Sequence, residues 1–187
     1  MSKNINRIVN IPRYEVDIFN ETDSNPTYGE LTKQGAIQLM QQIPNKKYNT
    51  FCDLGSGIGI VIDYITDLTS NFNKYIGIEL SEERFKQSNM LLAKKLKSEK
   101  YDIELFNENI LDTNISKIDV IYISNLCFNH NFNIELGKKI NQEAKCHCLI
   151  FANQDFRINR DHIKTVFGIN QSWGKNTQMF KYEIMDD

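Results

Sequence analysis

The sequence predicts an α/β fold, a mostly parallel sheet with helices on both faces, closed at one end by an antiparallel hairpin. Three observations carry this. Short β-branched runs alternate with stretches of helical spacing through the middle of the chain. A glycine cluster, Gly55-Ser56-Gly57-Ile58-Gly59, stands between the first such run and the helix after it. The last two strand-like runs are joined by a short polar connection containing Trp173 and Gly174, which suits a hairpin.

Residues 1–28 are expected to form an N-terminal arm ahead of one domain over 29–187. Between 29 and 43, Leu31, Ala36, Ile37, Leu39, Met40 and Ile43 repeat on one helical face, and Pro44 stops the helix. Thr50-Phe51-Cys52-Asp53-Leu54 is a strand running into the glycine cluster, and 60–68 is a helix. Tyr75-Ile76-Gly77-Ile78-Glu79 is the second strand. Ser81 then caps a long polar helix with Glu82 and Glu83 in its first turn and Lys94, Lys95 and Lys97 in its last, in the order that complements the helix dipole. A strand near 103–106, a turn, a strand over 119–124, a helix around 134–140 and a strand over 146–152 follow. Strand-like pieces near 165–169 and 177–184 end the chain.

The 187 residues suit one domain, and 41% hydrophobic residues supply a core. With 22 basic against 24 acidic side chains the net charge is −2, which excludes a strongly basic nucleic-acid clamp as a whole-molecule property. No apolar run approaches the ~18–20 residues that span a bilayer. The opening Met1-Ser2-Lys3-Asn4-Ile5-Asn6-Arg7 lacks the apolar stretch of a signal peptide. Cys52, Cys127, Cys146 and Cys148 show no spacing of a disulfide framework or a zinc knuckle. They read as small buried hydrophobes in a reducing compartment, and no metal is expected. The usage of 22 Asn, 25 Ile and 17 Lys against 4 Ala has the look of a viral or AT-rich genome, so single Asn and Lys residues carry little signal here.

The glycine loop discriminates between ligands. Dinucleotide folds use G-x-G-x-x-G, with a pyrophosphate on the helix N-terminus. Here the third glycine comes one position early, and Asp53 stands two residues before Gly55. S-adenosylmethionine has no phosphate but has an amino-acid end and a sulfonium, so an acid beside the loop suits it better than NAD. Glu79, 26 positions after Asp53 at the end of the second strand, is placed to reach ribose hydroxyls. Loop, both acids and the strand–helix context together predict the Rossmann-like seven-stranded sheet of class I methyltransferases.

Several further segments resemble one family, the disruptor-of-telomeric-silencing histone lysine methyltransferases, which are not SET-domain enzymes. Thr27-Tyr28-Gly29-Glu30-Leu31-Thr32 is similar to that family's Tyr-Gly-Glu loop. The stretch 51–59 is similar to its Val-Asp-Leu-Gly-Ser-Gly-Val-Gly segment, and 75–79 to its Gly-Val-Glu strand. Val120-Ile121-Tyr122-Ile123-Ser124-Asn125-Leu126-Cys127-Phe128 resembles its Val-Asn-Asn-Phe-Ala-Phe strand and loop. Phe156-Arg157-Ile158-Asn159 matches a Phe-Arg-Ile-Asn segment, and Ser172-Trp173-Gly174-Lys175 resembles a Ser-Trp-Thr-Gly-Lys turn. The order is the same from about residue 20 onward.

The resemblance implies an S-adenosylmethionine-dependent protein lysine N-methyltransferase whose substrate is a histone in a nucleosome, working in the nucleus. By position, Glu30 and Asp53 would hold the methionine end of the cofactor, Gly55 and Gly57 would let the backbone approach it, and Glu79 would bind the ribose. Asn109 and Ile110 fall where the family has Asp-Phe beside adenine. Asn125 would sit near the transferred methyl, and Tyr28, Phe128 and Trp173 would line the lysine channel. Ile60 replaces a polar Gln of the loop, and Met179-Phe180 falls where the family tends to have Tyr-Tyr, removing one channel hydroxyl. The family's helical N-terminal segment and basic flanks grip nucleosomal DNA; this chain is expected to have only a short arm and the acidic end Met185-Asp186-Asp187. Its densest basic stretch, Lys94-Lys95-Leu96-Lys97 with Lys100, reads first as solvated helix surface and second as a DNA contact. An RNA or non-histone protein substrate, and a non-catalytic cofactor-binding scaffold, are the competing readings. The absence of an Asn/Asp-Pro-Pro-Tyr motif after the fourth strand, where Ser124-Asn125-Leu126-Cys127 stands, argues against nucleic-acid base methylation.

Overall fold

A computed structural model describes residues 11–22 and 29–185. Seven strands form one sheet: β1 (Tyr48–Leu54), β2 (Phe72–Glu79), β3 (Asp102–Asn107), β4 (Val120–Ile123), β5 (Leu149–Ala152), β6 (His162–Gln171) and β7 (Gly174–Ile184). Their order is β3-β2-β1-β4-β5-β7-β6. The first five pair in parallel, β7 runs antiparallel to β5, and β6 and β7 form the hairpin. The chain order reverses between β1 and β4, the switch point where open α/β sheets bind ligands.

Strand alternation sorts the core into two layers. Phe51, Tyr75, Val120, Tyr122, Leu149 and Phe151 face α2 (Lys33–Gln41) and α3 (Ile60–Leu68), meeting Leu39, Ile62 and Ile65. Cys52, Leu54, Ile121, Ile123, Cys148 and Ile150 face α6 (His130–Glu143) through Phe132, Leu136 and Ile140. On that second face the β3–β4 connection has no helix; it buries Ile110, Ile115 and Ile118 instead. All four cysteines are free, with Cys52 and Cys148 buried in the sheet.

Three elements depart from the sequence expectation. The helix expected from residue 29 starts at Lys33, capped by the Thr32 hydroxyl, which accepts from Gly35 N at 3.0 Å. Residues 30–32 are held by the hairpin instead: Ser172 N donates to Glu30 O at 2.8 Å, and Thr32 Oγ1 donates to Asn170 O at 2.9 Å. The long polar helix breaks at Leu92 into α4 (Glu82–Leu91) and α5 (Ala93–Leu96), because Leu92 turns fully into the core. Lys95 consequently points inward and pairs with Asp63 and Asp67, both at 2.7 Å, while Lys94, Lys97 and Lys100 stay exposed. Finally, a helix α1 (Arg13–Glu21) lies within the expected arm. Its buried Glu15 accepts a short hydrogen bond from Ser81 Oγ and another from Glu83 N at 2.9 Å, capping α4 from a distant part of the chain. Phe19 of the same helix lies under the Arg84 guanidinium. No described helix is long and apolar enough to cross a membrane.

Candidate active site

The glycine loop leaves the end of β1 and turns back over β2. Gly55 N and Ser56 N donate to Ile78 O at 2.9 and 2.8 Å. Gly55, Gly57 and Gly59 all have positive φ, at 84°, 55° and 80°. A side chain would resist this conformation by about 1–2 kcal/mol per residue, which is why glycine recurs at alternate positions. Gly59 then enters α3 as its N-cap.

Two buried carboxyls flank this loop. Glu79, at the end of β2, takes Gly57 N on Oε2 at 2.8 Å and Ser81 N on Oε1 at 2.9 Å. Burial raises its pKa, opposed by Arg84 and by those two backbone N–H groups. Its carbonyl receives Asn107 Nδ2 at 2.9 Å and Glu108 N at 3.2 Å, which brings residues 109 and 110 to the Glu79 end of the site. The Asn109 side chain closes its own turn, accepting from Leu111 N at 2.9 Å, and Ile110 is buried in the second core layer.

Asp53 differs from Glu79. It is 1% exposed, and among the described residues its carboxyl makes no hydrogen bond and no ion pair. Burial, then the neighbouring Glu79, pushes its pKa up to about 8. Asp53 shares a narrow cleft with Glu30, Gly55, Ser56, Tyr122 and Ser124. Glu30 arrives there because the hairpin turn holds both its N–H, through Ser172 Oγ at 3.0 Å, and its carbonyl. A buried carboxyl without a partner is costly, and the cleft therefore suits a ligand that brings a cation.

Phe128 leans over the loop: a Cβ added at Gly55 would stand 3.5 Å from its Cζ. Its ring meets Phe132 edge-on at 5.3 Å. Trp173 is 41% exposed and packs so closely on Gly29 that a Cβ there would overlap the indole. Tyr28 lies outside the described residues. Asn125 is fully buried behind β4, and its Oδ1 accepts from Asn153 N at 2.8 Å and Gln154 N at 2.9 Å. Its Nδ2 donates to Asn133 Oδ1 at 2.8 Å. It thus fastens the loop after β4 to the segment after β5 and to α6. The structure therefore gathers Glu30, Asp53 and Gly55 in one cleft, with Gly57 and Glu79 hydrogen-bonded at its side. Sequence reasoning passed over Tyr122 and Ser124 in the same cleft and Asn133, Asn153 and Gln154 around Asn125. Among the described residues no group of three or more His, Cys, Asp or Glu could hold a metal.

Residues 15–184 match the model of the family described as "Histone methylation protein DOT1". The chain belongs to this family. It is 24% identical over 151 residues to a Caenorhabditis elegans protein named "Histone-lysine N-methyltransferase, H3 lysine-79 specific", a match covering 75% of this chain and 16% of the relative. The chain thus spans about a sixth of that relative's length. Among solved structures, a putative methyltransferase of Escherichia coli superposes with a TM-score of 0.66 at 13% identity, over 83% of this chain and 89% of the other. An RNA methyltransferase of Salinibacter ruber, solved with S-adenosyl-L-homocysteine, superposes with a TM-score of 0.57 at 14% identity, over 81% and 91%. At these identities the superpositions establish the methyltransferase fold for this member of the DOT1 family and nothing finer.

Proposed function

We propose that the chain is an S-adenosylmethionine-dependent protein lysine N-methyltransferase acting on a histone within the nucleosome, and hence in the nucleus. The observation that carries the cofactor reading is Asp53, a buried carboxyl without a partner among the described residues, beside a loop of three positive-φ glycines. Family membership and the name of the nematode relative support the substrate.

The residues present fit the cofactor. Asp53 and Glu30 would hold its amino-acid end, the cationic ammonium supplying the charge that Asp53 lacks. Gly55 and Gly57 would let it approach the backbone. Each Glu79 oxygen accepts one backbone N–H and keeps capacity for a ribose hydroxyl. Asn109 and Ile110 would flank the base. When bound, the cofactor supplies a methyl group on a sulfonium, an electrophile for in-line displacement.

The protein must deliver a neutral amine, although a free lysine titrates near ~10.4. Phe128, held by Phe132, and Trp173 at the hairpin turn would form apolar walls that disfavour the ammonium by desolvation. Alignment of the amine with the methyl supplies much of the rest. Asn125 would act at the methyl-transfer end by fixing the loop that carries Phe128.

The test incubates the protein with labelled methyl donor and, separately, nucleosomes, free histones and total RNA. Label on histone lysine in nucleosomes is expected. Label on RNA alone would refute the substrate, and failure to bind S-adenosylhomocysteine would refute the cofactor.

A further inference from the structure

Tyr122 has a polar group that the fold does not use. It sits in β4, in register with Asp53 on β1 and Phe151 on β5, so its side chain lies on the same sheet face as the Asp53 carboxyl. The residue is 1% exposed, yet its hydroxyl makes no hydrogen bond of acceptable distance and angle among the described residues. The Ser124 side chain stands close enough to act on it, without meeting those requirements. Buried tyrosine hydroxyls ordinarily find a partner, and leaving one unmatched costs about 1–3 kcal/mol. Phenylalanine would fill the same space in this apolar Val-Ile-Tyr-Ile strand without that penalty.

Where the hydroxyl sits narrows its partner. Tyr122 lines the cleft with Asp53, Glu30 and Ser124. The phenol is longer than the carboxyl of its register partner, and both line the cleft that Glu30 enters. A phenol at neutral pH is a donor, and burial holds it in the protonated state. An α-amino acid group offers the matching pair: an ammonium for Asp53 and a carboxylate for a donor beside it.

We propose that Tyr122 is a further cofactor-binding residue, its hydroxyl donating to the α-carboxylate of the cofactor while Asp53 takes the ammonium. This rests on the reading that the amino-acid end of the cofactor lies over Asp53. The hydroxyl is unmatched among the described residues because its partner arrives with the ligand. Stability is given up at one atom for a contact made only in the complex.

The experiment compares wild type and Tyr122→Phe by calorimetry with S-adenosylhomocysteine and with 5′-methylthioadenosine, which keeps the nucleoside and lacks the amino-acid end. Thermal unfolding of the empty proteins is measured alongside. Affinity of the variant for S-adenosylhomocysteine should fall by about tenfold or more, the worth of a hydrogen bond to a charged group. Affinity for 5′-methylthioadenosine should change by less than about twofold, and the empty variant should melt at the same temperature or higher. Equal affinity of variant and wild type for S-adenosylhomocysteine would overturn the inference and leave the cofactor reading standing. Loss of affinity for both ligands, with a lowered melting temperature, would overturn it too, by making the hydroxyl structural. A wild type that binds neither ligand would remove the cofactor reading and this inference with it.

Discussion

If Asp53 is the seat of the cofactor ammonium, cofactor affinity must depend steeply on pH near neutrality, where an ordinary exposed carboxylate, already ionised, would give none. In the empty protein Asp53 titrates at about 8, raised by burial and by Glu79. At neutral pH it is therefore mostly protonated. An ammonium beside it favours the anion, so binding expels one proton. Below about pH 8 affinity should then gain about tenfold per pH unit. Lowering the pH from about 7.5 to about 5.5 should weaken S-adenosylhomocysteine about a hundredfold, while the ligand's own α-ammonium, with a pKa near ~8, remains charged throughout. Calorimetry at about pH 6.5 in two buffers of different ionisation enthalpy should report close to one proton released per ligand. Asp53→Asn should weaken binding and flatten its pH dependence. The same shift has a consequence for the empty protein. The folded state binds a proton that the unfolded chain releases near pH 4, so this group stabilises at low pH. That stabilisation is lost as pH rises from about 4 to about 8, at no more than about 1.4 kcal/mol per unit. A dissociation constant unchanged within about threefold over the range, with no proton exchanged, would refute the reasoning.

Three other outcomes follow from the geometry. Glu79→Ala removes the acceptor of Gly57 N and Ser81 N and the candidate ribose ligand, so S-adenosylhomocysteine binding should vanish in calorimetry while circular dichroism still reports a folded chain. Asn125→Ala strands the buried N–H groups of Asn153 and Gln154, so it should cost about 2–5 kcal/mol in denaturant unfolding and lower turnover well beyond any change in cofactor affinity. Unchanged stability and turnover would remove it from the site. Glu15→Ala uncaps α4 and should destabilise by about 1–3 kcal/mol in urea, with Glu15→Gln closer to wild type because the amide oxygen can still accept from Glu83 N.

Much of the candidate site was legible in the sequence because its parts are local. Asp53, the glycines and Glu79 lie at strand ends that alternation and β-branching locate, and the early third glycine set the loop apart from a dinucleotide site. Glu30 was reachable only through the Tyr-Gly-Glu resemblance, since what holds it at the cleft is the hairpin some 140 residues on. Lys95 read as surface because a helical pattern does not reveal that Leu92 breaks the helix and turns the lysine toward Asp63 and Asp67.

The sequence by itself determined the element order, the parallel sheet with its terminal hairpin, the loop and its two acids, since hydrophobic periods of two and 3.6 residues and positive-φ glycines act within a few residues of each other. Tertiary structure alone decided which distant groups meet. It set Tyr122 beside Asp53 through strand register, seated Glu15 on the N-terminus of α4, and enclosed Asn125 among Asn133, Asn153 and Gln154. Those pairings depend on sheet order and on the depth of burial. The same burial raises the Asp53 pKa, and no local pattern of residues encodes it.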